Sequence, residues 1–194
     1  MQPVSVIEGT AVPLDRSDVD TDQIIPAQYL KRVERTGYGE FLFDEWRKDP
    51  AFVLNDERYA GATILLAGHN FGSGSSREHA VWAIDDYGFR AVIAPSFADI
   101  FRNNCTKIGV LPVELAQESV RAFMDAVLDD PTTEITIDLE DRSVTAPAVQ
   151  ESFPIDDYTR WRLLEGLDDI GLTLRVQEEI AAYEEHRAAW LPTA

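Results

Sequence analysis

Three serines, two histidines and an arginine crowd into twelve residues of this sequence, Gly68-His69-Asn70-Phe71-Gly72-Ser73-Gly74-Ser75-Ser76-Arg77-Glu78-His79. An arginine fork can grip a carboxylate or phosphate through two parallel hydrogen bonds. Serine hydroxyls one and two residues before it stand at reacting distance from whatever the arginine holds. Three glycines let the backbone bend tightly and approach a ligand with no Cβ in the way. The stretch therefore reads as a site for an anion, with hydroxyls poised over it. The serine hydroxyls and Arg77 are the candidate reactive groups, and Gly72 and Gly74 the supporting bend.

Several reaction classes fit poorly. Gly72-x-Gly74-x-x-Arg77 lacks the third glycine of a dinucleotide fingerprint, and no lysine follows to make a P-loop. The serines follow the glycines instead of lying between them, so there is no nucleophile elbow of the Gly-x-Ser-x-Gly kind. A serine hydrolase using Ser75 or Ser73 with His79 stays open as a weaker alternative. So does a non-catalytic anion-binding module, in which the serines only satisfy helix amides.

The elements around this stretch must position it. The apolar run Ala62 to Ala67 leads in and the amphipathic Ala80-Val81-Trp82-Ala83-Ile84 leads out, giving strand, glycine turn, helix. The serines are expected at the helix start, capping free amides, where the helix dipole also favours an anion. Gly88 to Ala94 reads as a second central strand and hence a parallel pair. Ser96 to Lys107 reads as a helix capped by Ser96, and Val110 to Val113 as a third strand. Val120, Phe123, Met124, Val127 and Leu128 recur at helical spacing, predicting an amphipathic helix over Gln117 to Asp129 with these as core positions. Glu134 to Leu139 and Ser143 to Ala146 alternate like a hairpin, and Val4 to Pro13 reads as a strand. Asp156 to Leu164 is expected as a helix ended by Gly166, and Gln177 to Trp190 as a final, peripheral, acidic helix. Pro26 to Trp46 has no clear period, and long loops in compact domains are usually functional. Phe41, Phe43, Trp46 and Phe52 are read as burying that loop.

Composition bounds the function further. The 194 residues carry 35 acidic against 17 basic side chains, a formal charge of −18. Nucleic-acid backbones are repelled by such a chain, and a small dianion needs local arginines. No signal-like segment opens the sequence and no apolar run reaches membrane-spanning length, so a cytoplasmic protein is expected. Cys105 is the single cysteine. It is read as a small buried residue, and one cysteine per chain cannot ligate an iron–sulfur cluster. Asp18, Asp20 and Asp22 alternate, but Ile24-Ile25-Pro26 follows where a calcium loop needs glycine and a distant glutamate, so no metal is assigned to them.

Gly74-Ser75-Ser76-Arg77-Glu78-His79 resembles the signature of the mobile swivel domain of the aconitase superfamily. With it stand Asp18 to Pro26, Tyr29-Leu30-Lys31-Arg32-Val33, Asn70-Phe71-Gly72 and Ala94 to Asn104. Together, and in this order, they resemble the small subunits of bacterial 3-isopropylmalate dehydratases over nearly the whole chain. The resemblance implies an α/β fold of the swivelling β/β/α type, a central mostly parallel sheet flanked by helices. It implies one domain over 1–194, with 156–194 as a peripheral, mainly helical extension.

It also implies chemistry. The activity would be the isomerisation of 2- and 3-isopropylmalate through 2-isopropylmaleate in leucine biosynthesis, a hydro-lyase reaction. The four-iron, four-sulfur cluster would be carried by a large-subunit partner, with no cofactor in this chain. Ser75 would be the base, acting as an alkoxide, with Arg77 stabilising it and Arg77 and Ser76 holding a substrate carboxylate. Asp22 would orient the arginine. Tyr29 and Leu30 would open the substrate-recognition loop, or else be core anchors. Arg32 or Arg35 would add a carboxylate contact. His79 is a candidate acid or base, though support of the turn is favoured; His69 is assigned nothing. A small subunit for homoaconitate or dimethylmaleate hydration is the alternative within the superfamily.

Overall fold

A computed structural model of the chain describes residues 1–32, 36–188 and 190. Its elements run β1 (Val6–Gly9), β2 (Ala11–Leu14), α1 (Thr21–Ile24), α2 (Asp44–Arg47), β3 (Ile64–Ala67), α3 (Glu78–Tyr87), β4 (Ala91–Ala94) and α4 (Asp99–Ile108). They continue with β5 (Leu111–Glu114), α5 (Gln117–Asp129), β6 (Ile135–Asp138), β7 (Ser143–Ala146), β8 (Val149–Ser152), α6 (Asp157–Leu164), α7 (Asp169–Leu174) and α8 (Gln177–His186).

The strands make two sheets. One is wholly parallel, in the order β2-β3-β4-β5, with Ala11 beside Ile64, Ile64 beside Ala91 and Ala91 beside Leu111. The other is antiparallel, in the order β1-β6-β7-β8. In the parallel sheet β2, β3 and β4 are buried at every position. Parallel sheets covered on both faces read as continuous apolar runs for this reason. Pro13 and Pro112 lie in the two edge strands, β2 and β5, where a missing N–H removes no central ladder bond.

The helices follow their apolar stripes. Ala80, Val81, Ala83 and Ile84 of α3 are buried, as are Val120, Phe123, Met124 and Val127 of α5. Helix α5 touches β2, β3 and β4 of one sheet and β8 of the other, so it joins the two layers. Leu128, expected in the core, is instead 48% exposed. At about 100° per residue it falls about 80° around the helix from Val120, beyond the stripe's edge.

Two further expectations are corrected. The run Val4 to Pro13 is two strands in different sheets, divided at Gly9 and Thr10. A Cβ at Gly9 would strike the Thr63 hydroxyl, and the Thr10 carbonyl accepts from Thr63 and Ile64, so the chain crosses there from one sheet to the other. The antiparallel sheet itself has a fourth strand, β8, beyond the predicted hairpin. Helix α6 begins where expected, its Asp156 cap accepting from the Thr159 amide at 2.9 Å, and Leu163 is buried in the core. Helices α7 and α8 have no buried residue. Among the described residues no helix is long and apolar enough to cross a membrane.

Candidate active site

The loops that leave β2, β3 and β4 meet at the carboxyl ends of the parallel strands, the crevice where open α/β sheets bind ligands. The glycine turn lies in the middle one and is laced to both neighbours. Toward the β4–α4 loop, the Asn70 amide donates to Ser96 Oγ at 2.9 Å and the Phe71 amide to the Ser96 carbonyl at 3.0 Å. Toward the β2–α1 loop, the Gly72 and Ser73 amides both donate to the Val19 carbonyl, at 2.8 and 3.1 Å, and the Thr21 amide to the Ser73 carbonyl at 2.9 Å.

The glycines are dictated by this packing. Gly72 has φ +78° and a Cβ there would enter the Phe101 ring; Gly74 has φ +90°. Left-handed backbone of this kind costs little only for glycine. Asn70, also left-handed at φ +57°, holds its place through a side-chain amide bond to Asp18 Oδ1 at 2.8 Å.

Ser75 and Ser76 are exposed and Arg77 is half-buried. The Arg77 guanidinium is ion-paired through Nη1 to Asp22 Oδ1, so its plane is set by a carboxylate on α1. Asp20 caps α1 in a reciprocal capping box with Gln23, which fixes the helix that carries Asp22. The three alternating aspartates thus serve three separate partners. Asp20 caps, Asp22 meets Arg77, and Asp18 meets Asn70, with His69 Nδ1 4.0 Å away. Among the described residues no three His, Cys, Asp or Glu side chains gather in a way that could hold a metal ion.

The serines do not cap α3, contrary to expectation. The helix starts at Glu78, its N-cap is Arg77 in extended conformation, and no side chain caps it. The Ser75 carbonyl is taken up by the Arg77 amide at 2.8 Å and by the Thr21 hydroxyl at 3.2 Å, so the chain turns into the helix only after the serines. The first-turn amides of α3 are consequently left free of side-chain oxygens, on the same edge as Ser75. Nor does Ser96 cap α4, which begins at Asp99 behind Ala98; the Ser96 hydroxyl is spent on the glycine turn. Ser96 was thus singled out by the sequence in the wrong role, whereas nothing in the pattern pointed to the bonds that Thr21 makes to Ser75. A hydroxyl residue set between Asp20 and Asp22 was the available sign of Thr21.

His79 packs edge-on and tilted against Tyr38 and Trp82, with ring centroids 5.5 and 4.6 Å away. Burial holds its pKa below the ordinary imidazole value, outweighing the nearby charge of Glu78. The sign of the resulting pH dependence follows. The unfolded chain takes up a proton near pH 6.5 while folded His79 still resists it, so stability falls as pH drops below that value. Urea midpoints are expected to decline less between pH 7 and 5 in His79→Gln than in the parent chain; parallel declines would contradict this.

The recognition segment is ordered by its own contacts. Tyr29 stacks on Phe41 at 4.0 Å and donates its hydroxyl to Asp44 at 2.9 Å. Leu30 is half-buried against the core. The Arg32 guanidinium lies 5.1 Å over Phe41 and 5.7 Å over Tyr38, and donates to Glu40 at 3.1 Å. Tyr38, fully buried, touches both Arg32 and His79, so this segment and α3 share one aromatic contact. Arg35, the other candidate arginine, lies outside the described residues. Phe43, Trp46 and Phe52 form the expected aromatic cluster, with Arg16 4.2 Å over Trp46.

Cys105 is fully buried, and burial pushes its thiol far above the usual range. A cavity of about 510 Å³ opens at the opposite end of the parallel strands, lined by Glu8, Thr63, Asp85 and Arg90 among others. Ser75 and Ser76 stand at the surface instead. Their edge of the sheet offers hydroxyls, a clamped guanidinium and the first amides of α3.

Residues 1–118 match the family model of the aconitase C-terminal domain, and residues 169–194 match the model of the C-terminal domain of 3-isopropylmalate dehydratase small subunits. The chain is similar to the 3-isopropylmalate dehydratase small subunit of Rubrobacter xylanophilus, 62% identical across 99% of this chain and 98% of that one. It is 61% identical to the same subunit of a Parafrankia strain, across 100% and 99% of the two chains. The crystal structure of a 3-isopropylmalate dehydratase from Methanocaldococcus jannaschii superposes with a TM-score of 0.64 at 28% identity, covering 92% of this chain and 99% of that one.

Proposed function

The chain belongs to the 3-isopropylmalate dehydratase small subunits, and we propose that it supplies the proton-transferring half of that hydro-lyase's active site in leucine biosynthesis. The observation that carries the reading is the exposed Ser75 beside Arg77, whose guanidinium is held by Asp22 at the carboxyl edge of the parallel sheet.

The reaction removes a proton from a carbon next to a carboxylate and a hydroxide from the neighbouring carbon, then returns both with their positions exchanged. Ser75 Oγ takes the carbon-bound proton in the dehydration and returns it in the rehydration. It must enter as an alkoxide, and a serine hydroxyl is a weak acid in water. The Arg77 charge and the uncapped amides of α3 stabilise the anion once a partner excludes solvent. The fork of Arg77, joined by the Ser76 hydroxyl, binds a carboxylate of the substrate and sets the reacting carbon over Ser75. Asp22 keeps that fork in one plane.

Hydroxide departs poorly without a Lewis acid, which an iron–sulfur cluster supplies when bound. The residues of this chain do not fit such a cluster, since its one cysteine is buried in the core with its thiol held protonated. The cluster therefore belongs to a large-subunit partner, which also forms a second wall of the site. The isopropyl group is assigned to the segment that begins at Tyr29 and Leu30, and the further carboxylate contact to Arg32 or Arg35, of which Arg32 would have to exchange its bond to Glu40 for the substrate. A methylene or two is worth about 1–3 kcal/mol in such a pocket, so this segment tunes the choice among related substrates. The chain works in the cytoplasm as one swivel domain, with 156–194 as its peripheral extension.

A substrate panel on the pair reconstituted with a cluster-bearing large subunit tests the reading. 2-Isopropylmalate is expected to be isomerised with the highest kcat/KM; preference for homoaconitate or dimethylmaleate would reassign the substrate.

A further inference from the structure

Two successive residues of α1 hold the two reactive groups of the site. Asp22 holds the guanidinium of Arg77, and its neighbour Thr21 holds the backbone of Ser75. The Thr21 hydroxyl lies 3.2 Å from both the amide nitrogen and the carbonyl oxygen of Ser75, accepting from the first and donating to the second. Thr21 is 1% exposed, and its own amide is bonded to the Ser73 carbonyl. One buried hydroxyl thus closes on both peptide groups of one exposed residue and limits the rotation of each. The direction in which Ser75 Oγ leaves the turn follows from those two peptide planes. Gly74, left-handed and without a Cβ, gives the turn no stiffness of its own.

We infer that Thr21 is a positioning residue for the reaction: its hydroxyl fixes the backbone of Ser75 so that Oγ and the Arg77 fork address the same substrate carbon. This rests on the reading of Ser75 as the base. Arg77 is held independently through Asp22, so loss of the Thr21 hydroxyl loosens the base while leaving the carboxylate grip in place. The signature is therefore a fall in kcat with little change in KM. A purely structural role would change stability or assembly and leave kcat per assembled complex intact.

The test uses the complete complex with the large subunit and 2-isopropylmalate, comparing Thr21→Val, Thr21→Ser and Ser75→Ala. Thr21→Val preserves shape and branching but can neither donate nor accept. Its kcat is expected to drop about 10- to 100-fold, since a misplacement on the order of 1 Å can cost that much, while KM stays within about threefold. Thr21→Ser restores the hydroxyl and should restore kcat. Should Thr21→Val fail to co-purify, Thr21→Ala against Thr21→Ser decides, because that pair differs only in the hydroxyl. Wild-type kcat in Thr21→Val or Thr21→Ala, with Ser75→Ala inactive, overturns the inference and leaves the reading of Ser75 standing. An active Ser75→Ala complex overturns both.

Discussion

Replacing Ser75 by alanine is expected to lower turnover of the reconstituted enzyme by about 10³- to 10⁴-fold, at the upper end of what one positioned proton-transfer group contributes. Folding and partner binding should be preserved. The bonds that hold the turn come from the Ser75 backbone, to Thr21 and to the Arg77 amide, and the side chain belongs to an exposed residue. Alanine removes one oxygen and leaves every one of those backbone bonds. The check is kcat measured on the co-purified complex beside its thermal unfolding midpoint. An unchanged midpoint with turnover lost is the expected result; turnover within tenfold of the parent would show that the proton goes elsewhere.

Arg77→Lys is expected to lower kcat/KM by about 10²- to 10³-fold, with loss in both terms. Lysine keeps the charge but not the planar fork, and an ammonium meeting Asp22 presents no second pair of aligned donors to a carboxylate. KM should rise because the substrate carboxylate loses a bidentate grip, and kcat should fall because the anion on Ser75 loses an oriented cation. Stability should hardly change, since the Arg77–Asp22 pair is partly solvated, with Asp22 55% exposed, and such pairs contribute about 0–1 kcal/mol. Steady-state kinetics and urea unfolding on the same preparation separate the two effects.

Some of this was legible in the residues and some was not. The run Ala62 to Ala67 before a glycine-rich turn announced the β3–turn–α3 unit, because a continuous apolar run bounded by glycine has few other uses. The stripe Val120, Phe123, Met124, Val127 gave α5 its full extent for the same kind of reason. Pattern alone could not say that Val4 to Pro13 serves two sheets, because an apolar strand records its burial and not its neighbour. Nor could it separate a serine that caps a helix from one that only precedes it: Ser75, Ser76 and Ser96 all sit at plausible cap positions, and tertiary bonds from Thr21 and Asn70 decide otherwise. Thr21 was hidden by its flanking aspartates, which drew attention to charge and metal. The anionic site could be argued from Arg77 and the glycines, whereas the role of Ser75 came from family resemblance, since no pattern of residues marks a serine as an alkoxide.

The claim at the centre is that this chain holds one wall of an active site and the other wall lies on a second polypeptide. Titrating the purified chain into a cluster-bearing large subunit, with 2-isopropylmalate present, tests it most directly. Neither chain alone is expected to turn substrate over, and turnover should rise with added chain and saturate at equal amounts of the two. Isomerisation by the isolated chain, or a co-eluting pair that stays silent, would contradict it.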